Sequence, residues 1–134
     1  MAKIEKSVYI AAPIGKVWAA LTDLKSIEGW MGKDSVAEVT LKEGGRYQVF
    51  GGETTGKFTR IRPPHSLEYT WRQANWPAEW ADSRVHWELK PTKTGTQVKL
   101  THDQFPNKDE RDGHDEGWDT YWLAPMKKWL EAKA

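Results

Sequence analysis

The sequence predicts an α+β domain. It reads as a curved antiparallel sheet of about seven strands, a long C-terminal helix across its concave face, and two short helices after the first strand. Apolar and polar residues alternate through most of the stretch from Lys33 to Asp103, the period of strands with one dry and one wet face. The segments on either side show helical spacing instead. Turn residues divide the alternating region at Gly44-Gly45, Gly51-Gly52, Pro63-Pro64 and Thr94-Gly95.

Residues 3–10, KIEKSVYI, alternate Ile4, Val8 and Ile10 with polar neighbours and read as the first strand. In APIGKVWAALTD, Pro13 opens a helix, where its missing N–H costs nothing, and Ile14, Val17, Trp18 and Leu21 fall on one face. Asp23 is placed to cap a second short helix, LKSIE, with Gly29 as its end. Strands are predicted at 35–41, 46–50, 56–62, 66–72, 84–90 and 95–103. Their inner faces carry Leu67, Tyr69 and Trp71, then Val85, Trp87 and Leu89, then Val98, Leu100 and His102.

The acidic run NKDERDGHDEGWD suits the positive end of a helix dipole and opens the last helix. Within GWDTYWLAPMKKWL, Trp118, Trp122 and Trp129 share one helical stripe, read here as the face gripped by the sheet. Pro125 lies inside that run and should bend the helix, freeing a carbonyl that needs another partner.

Composition narrows the function. Leu, Ile, Val and Phe make up only 23 of 134 residues, but nine Trp and four Tyr supply apolar area, so the core is aromatic. The net charge of +1 gives no electrostatic case for nucleic acid or anionic membrane as a partner. No apolar run approaches the roughly 20 residues that cross a bilayer. The start, MAKIEKSVYI, has no signal-peptide core, and cysteine is absent. A cytoplasmic location is therefore expected.

Candidate chemistry is sparse. GGETTGKF matches G-x-x-x-x-G-K, but Phe58 stands where Ser or Thr should follow, and a β-branched segment ending in two prolines replaces the helix that must come next, so a hairpin is expected. The spacing of His65, His86, His102 and His114 fits no metal site, and neither a metal nor a cofactor is expected. His86 should face solvent and His65 a turn. His102 shares the inner face, where a satisfied structural histidine competes with a ligand contact. If its partner were ligand or solvent, His102→Leu would leave the fold intact and weaken only ligands with a polar end. The carboxylates from Asp109 to Asp119 read as a solvated helix start. Trp76 and Trp80, in NWPAEWADS, either fold back on the domain or form a lid or partner contact.

Taken together and in order, IAAPIGKVWAALTD, IEGWMG, GGRYQVF, LEYTWR, VHWELKPTKTGTQVKLTH and GHDEGWDTYWLAPMKKWL resemble the SRPBCC (START/Bet v 1-like) superfamily. The most similar branch is the one named for the C-terminal domain of the Hsp90 ATPase activator. The resemblance spans about residues 4–131 and implies a helix-grip fold with an apolar cavity between sheet and helix. Where the family commonly carries paired aromatics, this chain has Trp30-Met31, a change at the cavity mouth. The full activator also has an N-terminal domain, so the resemblance speaks for the fold more than for stimulation of Hsp90.

The expected function is the binding of a small apolar or aromatic molecule, lipid-like or polyketide-like, rather than catalysis. The expected wall comprises Trp30, Tyr47, Val49, Phe58, Tyr69, Trp71, Trp87, Leu100, His102, Phe105, Trp118 and Trp122. One alternative is a protein-interaction module, a co-chaperone or a homodimer using the Trp76/Trp80 loop. The other is a cyclase- or hydrolase-like enzyme with His102 or Tyr69 as acid–base group, though no nucleophile–base pair accompanies either.

Overall fold

The computed structural model describes residues 3–33, 35 and 38–133. Strand β1 (Ile4–Ile10) leads into helices α1 (Ile14–Thr22) and α2 (Leu24–Met31). Six strands follow: β2 (Glu38–Val39), β3 (Arg46–Val49), β4 (Thr54–Arg62), β5 (Ser66–Gln73), β6 (Ser83–Pro91) and β7 (Thr96–Asp103). They form one antiparallel sheet in the order β1-β7-β6-β5-β4-β3-β2. The chain then runs out through α3 (Lys108–Gly117), a π-helical segment (Trp118–Leu123) and α4 (Ala124–Lys133). This is the predicted α+β helix-grip arrangement, with its strand ends shifted by a residue or two. Of the strand expected at 35–41 only Glu38–Val39 is observed; residues 36 and 37 lie outside the described ones.

The inner face is as the alternation predicted: Leu67, Tyr69, Trp71, Val85, Trp87, Leu89, Val98, Leu100 and His102 are all buried. Gly56 allows a close approach within the sheet. A Cβ there would lie 1.9 Å from the Thr70 carbonyl oxygen and 2.5 Å from the Tyr47 ring. Without it, Tyr47 lies close over the strand and its hydroxyl donates to Thr70 O at 2.9 Å. The GGETTGKF stretch is a turn followed by β4, with Lys57 exposed, so the hairpin reading holds.

Two details of the helices differ from expectation. Asp23 caps α2 by accepting from Ser26 N at 3.0 Å, but the helix continues through Gly29 and ends at Gly32, whose φ is 122°. Gly29 is a docking point instead: a Cβ on it would stand 2.5 Å from Cζ2 of Trp129. In the C-terminal helix the buried side chains are Trp118, Trp122, Met126 and Leu130, with Leu123 beside them, whereas Trp129 is only half-buried on the flank.

The physical reason is the π turn. A side chain every four residues drifts by about 40° per step on a straight α-helix, or about 120° over three steps. One extra residue in a widened turn sets the helix back by about 100°, which realigns 118, 122, 126 and 130 and carries 129 off the stripe. The widening falls just before Pro125, which has no N–H to continue the α ladder. Ala124 N–H accordingly bonds Asp119 O, five residues back, so a change of register absorbs the proline.

Trp122 lies against Trp30, Trp71, Trp87 and Trp118 at ring-centroid distances of 5.1–6.1 Å. Truncation to Trp122→Ala is expected to lower the unfolding free energy by about 3–5 kcal/mol in denaturant titration. A loss below about 1 kcal/mol would mean that the stripe does not hold the helix.

Candidate functional site

At one end of the grip, α3 and the π segment part from the sheet and leave a cleft of about 440 Å³. The helix side contributes Asp109, Glu110, Gly113, His114, Gly117, Trp118, Tyr121 and Trp122. The sheet side contributes Phe50 and Glu53 from the β3–β4 turn, Thr54 from the start of β4, and Trp71 and Gln73 from β5. Its walls are mainly aromatic. Trp71 is 4.9 Å from Trp118 between centroids, Trp118 is 5.1 Å from Trp122, and Phe50 is 5.9 Å from Trp122. Phe50 holds its place with a left-handed backbone (φ 54°), a conformation costly for a bulky residue. Tyr121, 66% exposed, forms the outer lip. A second hollow, of about 450 Å³, lies where Pro13 and Lys16 meet Trp129 and Leu130, and Trp129 is the one aromatic residue of its lining among the described residues.

Two glycines open the cleft. Gly113 and Gly117 stand one turn apart inside a helix, where each costs roughly 0.5–1 kcal/mol relative to alanine. A Cβ on Gly113 would meet nothing within 4 Å, and one on Gly117 only Tyr121 Cδ2 at 3.9 Å. Packing therefore does not demand glycine at either position; what the missing side chains leave is space.

Behind this wall lies a network that fixes two histidines. Trp118 Nε1 donates to His102 Nδ1 at 3.0 Å. His102 Nε2 therefore carries the proton and donates to Ser83 Oγ at 2.8 Å, and Ser83 Oγ in turn donates to the Trp71 carbonyl at 2.9 Å. Likewise Trp71 Nε1 donates to His114 Nε2 at 3.1 Å, leaving Nδ1 to donate to the Glu110 carbonyl at 2.7 Å. Burial first, and then the nearby His114, hold the His102 imidazole well below the usual histidine range.

Of the twelve residues expected to line a cavity, Trp71, Trp118 and Trp122 line this cleft. Trp30, Tyr47, Val49, Phe58, Tyr69, Trp87, Leu100, His102 and Phe105 are buried behind it, packed on one another. Tyr47, Phe58 and Tyr69 stack within 4.5–5.9 Å, and Phe105 lies 4.1 Å from His102. Burial pushes the Tyr47 and Tyr69 phenols up, and the Trp87 N–H donates to the Tyr69 hydroxyl at 2.9 Å. The premise for His102→Leu is overturned, because the partners of His102 are the buried Trp118 and Ser83 rather than ligand or solvent. The Trp76/Trp80 loop folds back: Trp76 is buried, and its Nε1 donates to Glu110 Oε1 at 2.8 Å.

Sequence reasoning missed Phe50, Glu53, Thr54, Gln73, Tyr121 and most of the α3 lining. The available signal was the pair of glycines four apart in an otherwise helical run.

A family model described as Activator of Hsp90 ATPase homolog 1-like protein matches residues 11–131. Among solved structures, PFC0360w, an Hsp90 activator from Plasmodium falciparum, matches with a TM-score of 0.85 and 28% identity over 97% of this chain and 96% of that one. CalU16 from Micromonospora echinospora matches with a TM-score of 0.80 and 25% identity over 98% of this chain and 77% of that one. The Aha1 dimer from Colwellia psychrerythraea, at 22% identity and a TM-score of 0.82 over 98% and 97% of the two chains, shares the fold. No curated protein matches the sequence significantly.

Because its folded-state pKa is depressed, His102 contributes stability that is fully present above the unfolded value of 6.5 and is lost as pH falls below it. The expected loss is up to about 1.4 kcal/mol per pH unit below that point. Urea unfolding between pH 7.5 and 5 should show it, and should show less of it in His102→Gln, whose amide supplies a donor and an acceptor without titrating. His102→Leu leaves the buried Trp118 N–H without its acceptor, while Ser83 Oγ keeps its bond to the Trp71 carbonyl, and is expected to cost about 1–3 kcal/mol at pH 7.5. A pH-independent wild-type stability would contradict a buried, neutral His102.

Proposed function

The chain belongs to the Activator of Hsp90 ATPase homolog 1-like family, and from that premise we propose that it holds a small apolar or aromatic molecule in the cleft between the C-terminal helix and β5. The observation that carries this reading is the pair of interior glycines, Gly113 and Gly117, which keep the helix wall bare where packing does not require it. The volume of about 440 Å³ lies within the range of small-molecule sites, and aromatic walls with a few polar groups are the usual lining of such sites.

A protein-interaction role is the second reading, favoured by the P. falciparum relative being an Hsp90 activator and by Tyr121, 66% exposed beside the cleft. The enzyme reading draws no support from the geometry. His102 lies outside the cleft with both ring nitrogens engaged by protein groups, and Tyr69 is buried away from it.

N-phenyl-1-naphthylamine, a neutral dye that brightens in apolar surroundings, provides the test. It is expected to bind the wild type and not Gly113→Phe, whose ring would occupy the cleft. Gly113→Ala should raise stability by about 0.5–1 kcal/mol, so the helix itself accepts a side chain there. Unaltered dye binding by a folded Gly113→Phe variant would remove the cleft from consideration.

A further inference from the structure

Every apolar side chain that lines the cleft carries a ring: Phe50, Trp71, Trp118, Tyr121 and Trp122. Among the described residues no Ala, Val, Leu, Ile or Met lines it. Aliphatic side chains are not scarce beside it. Val49 directly precedes Phe50, and Leu123 and Met126 follow Trp122, yet all three are buried in the core and do not line the cleft. The core mixes aliphatic and aromatic residues, whereas the cleft takes only aromatic ones. Neighbouring rings of this wall are tilted to one another by 43–76°. A flat ring among them meets some faces and some edges, the two geometries that aromatic pairs favour. On the helix wall, the bare backbone at Gly113 and Gly117 puts no branched carbon in the way of such a ring.

Phe50 is an independent sign. It opens the turn Phe50–Gly52, whose three residues all have positive φ, at 54°, 66° and 92°. Gly51 and Gly52 adopt this conformation freely, but a bulky side chain in it is an outlier. The backbone alone would be better served by glycine at all three positions. The one ring in the turn is also the one residue of the turn that lines the cleft. It stands edge-on to Trp122, 5.9 Å away between centroids, and stays half-buried. Strained residues of this kind cluster at ligand clamps, where the strain secures the position of a side chain.

Resting on the cleft reading above, we infer that the occupant is a flat aromatic ring system, not an acyl chain or a saturated ring, and that Phe50 selects for it. Phe50 stands on the sheet side of the cleft, where its ring adds an aromatic contact that a saturated molecule cannot return. A flexible chain also loses rotamer freedom on entering, which a rigid ring system does not.

Calorimetry at pH 7.5 with three neutral alcohols of equal carbon number tests the inference: 2-naphthalenemethanol, its decahydro derivative and 1-undecanol. Apolar area alone favours the two saturated alcohols, which carry at least as much hydrocarbon to bury. The naphthalene alcohol is instead expected to bind about tenfold tighter than either, the sum of a few aromatic contacts. Phe50→Leu keeps apolar bulk and should lower that preference by about threefold. Phe50→Gly removes the ring and frees the turn, and should lower it as much, so the reading does not depend on the leucine variant folding. Gly113→Phe should abolish binding. Equal or tighter binding of either saturated alcohol would overturn the aromatic assignment while leaving the cleft as a binding site. A preference unmoved in both Phe50 variants would overturn the role of Phe50. Binding retained by a folded Gly113→Phe variant, or no binding of any alcohol, would overturn the cleft reading and this assignment with it.

Discussion

The C-terminal helix has to set an apolar side chain against the sheet every four residues while carrying a proline in the middle of the run. Both demands are met by the widened turn at Trp118–Leu123, which restores the alignment of Trp118, Trp122, Met126 and Leu130 and ends where Pro125 has no N–H to give. The same turn directs Tyr121 outward as a lip. It also places Trp118 and Trp122 so that they belong at once to the core and to the cleft wall. A straight helix could hold its first or its last buried residues on the sheet, but not both sets.

The histidine network ties that helix to the sheet at the same end. Trp71 reaches from β5 to His114 on α3, and Trp118 reaches from the π segment to His102 on β7. Each indole N–H is satisfied by an imidazole nitrogen that must stay neutral to accept it. The aromatic wall is thus held by directional bonds as well as by packing. Trp122 is the exception: it is held by ring contacts, and its Nε1 has no hydrogen-bond partner among the described residues.

Strand periodicity, the Asp23 cap and the acidic start of the last helix were legible in the sequence because each rests on local chemistry. Parity along residues 98–102 was enough to turn His102 inward. The tryptophan stripe was read one residue wrong at its far end: a 3.6-residue count places Trp129 on the face, and nothing local to Trp129 announces the π turn upstream. Gly29 was read as a helix end because its packing partner, the Trp129 ring, is a hundred residues away. The twelve-residue wall was inferred from which face is dry, and a dry face does not say where the packed rings stop and space begins. That depended on Gly113 and Gly117, whose meaning appears only once a wall stands opposite them.

The central claim, that the space beside Trp122 is a binding site, is tested most directly by the indole N–H signals of the nine tryptophans in a ¹⁵N-correlated NMR titration with N-phenyl-1-naphthylamine. The account predicts that the Trp122 resonance moves most, Trp71 and Trp118 follow, and Trp18 and Trp129 stay in place. Shifts centred on Trp129 with Trp122 unmoved would put the ligand in the hollow beside α4 and contradict it.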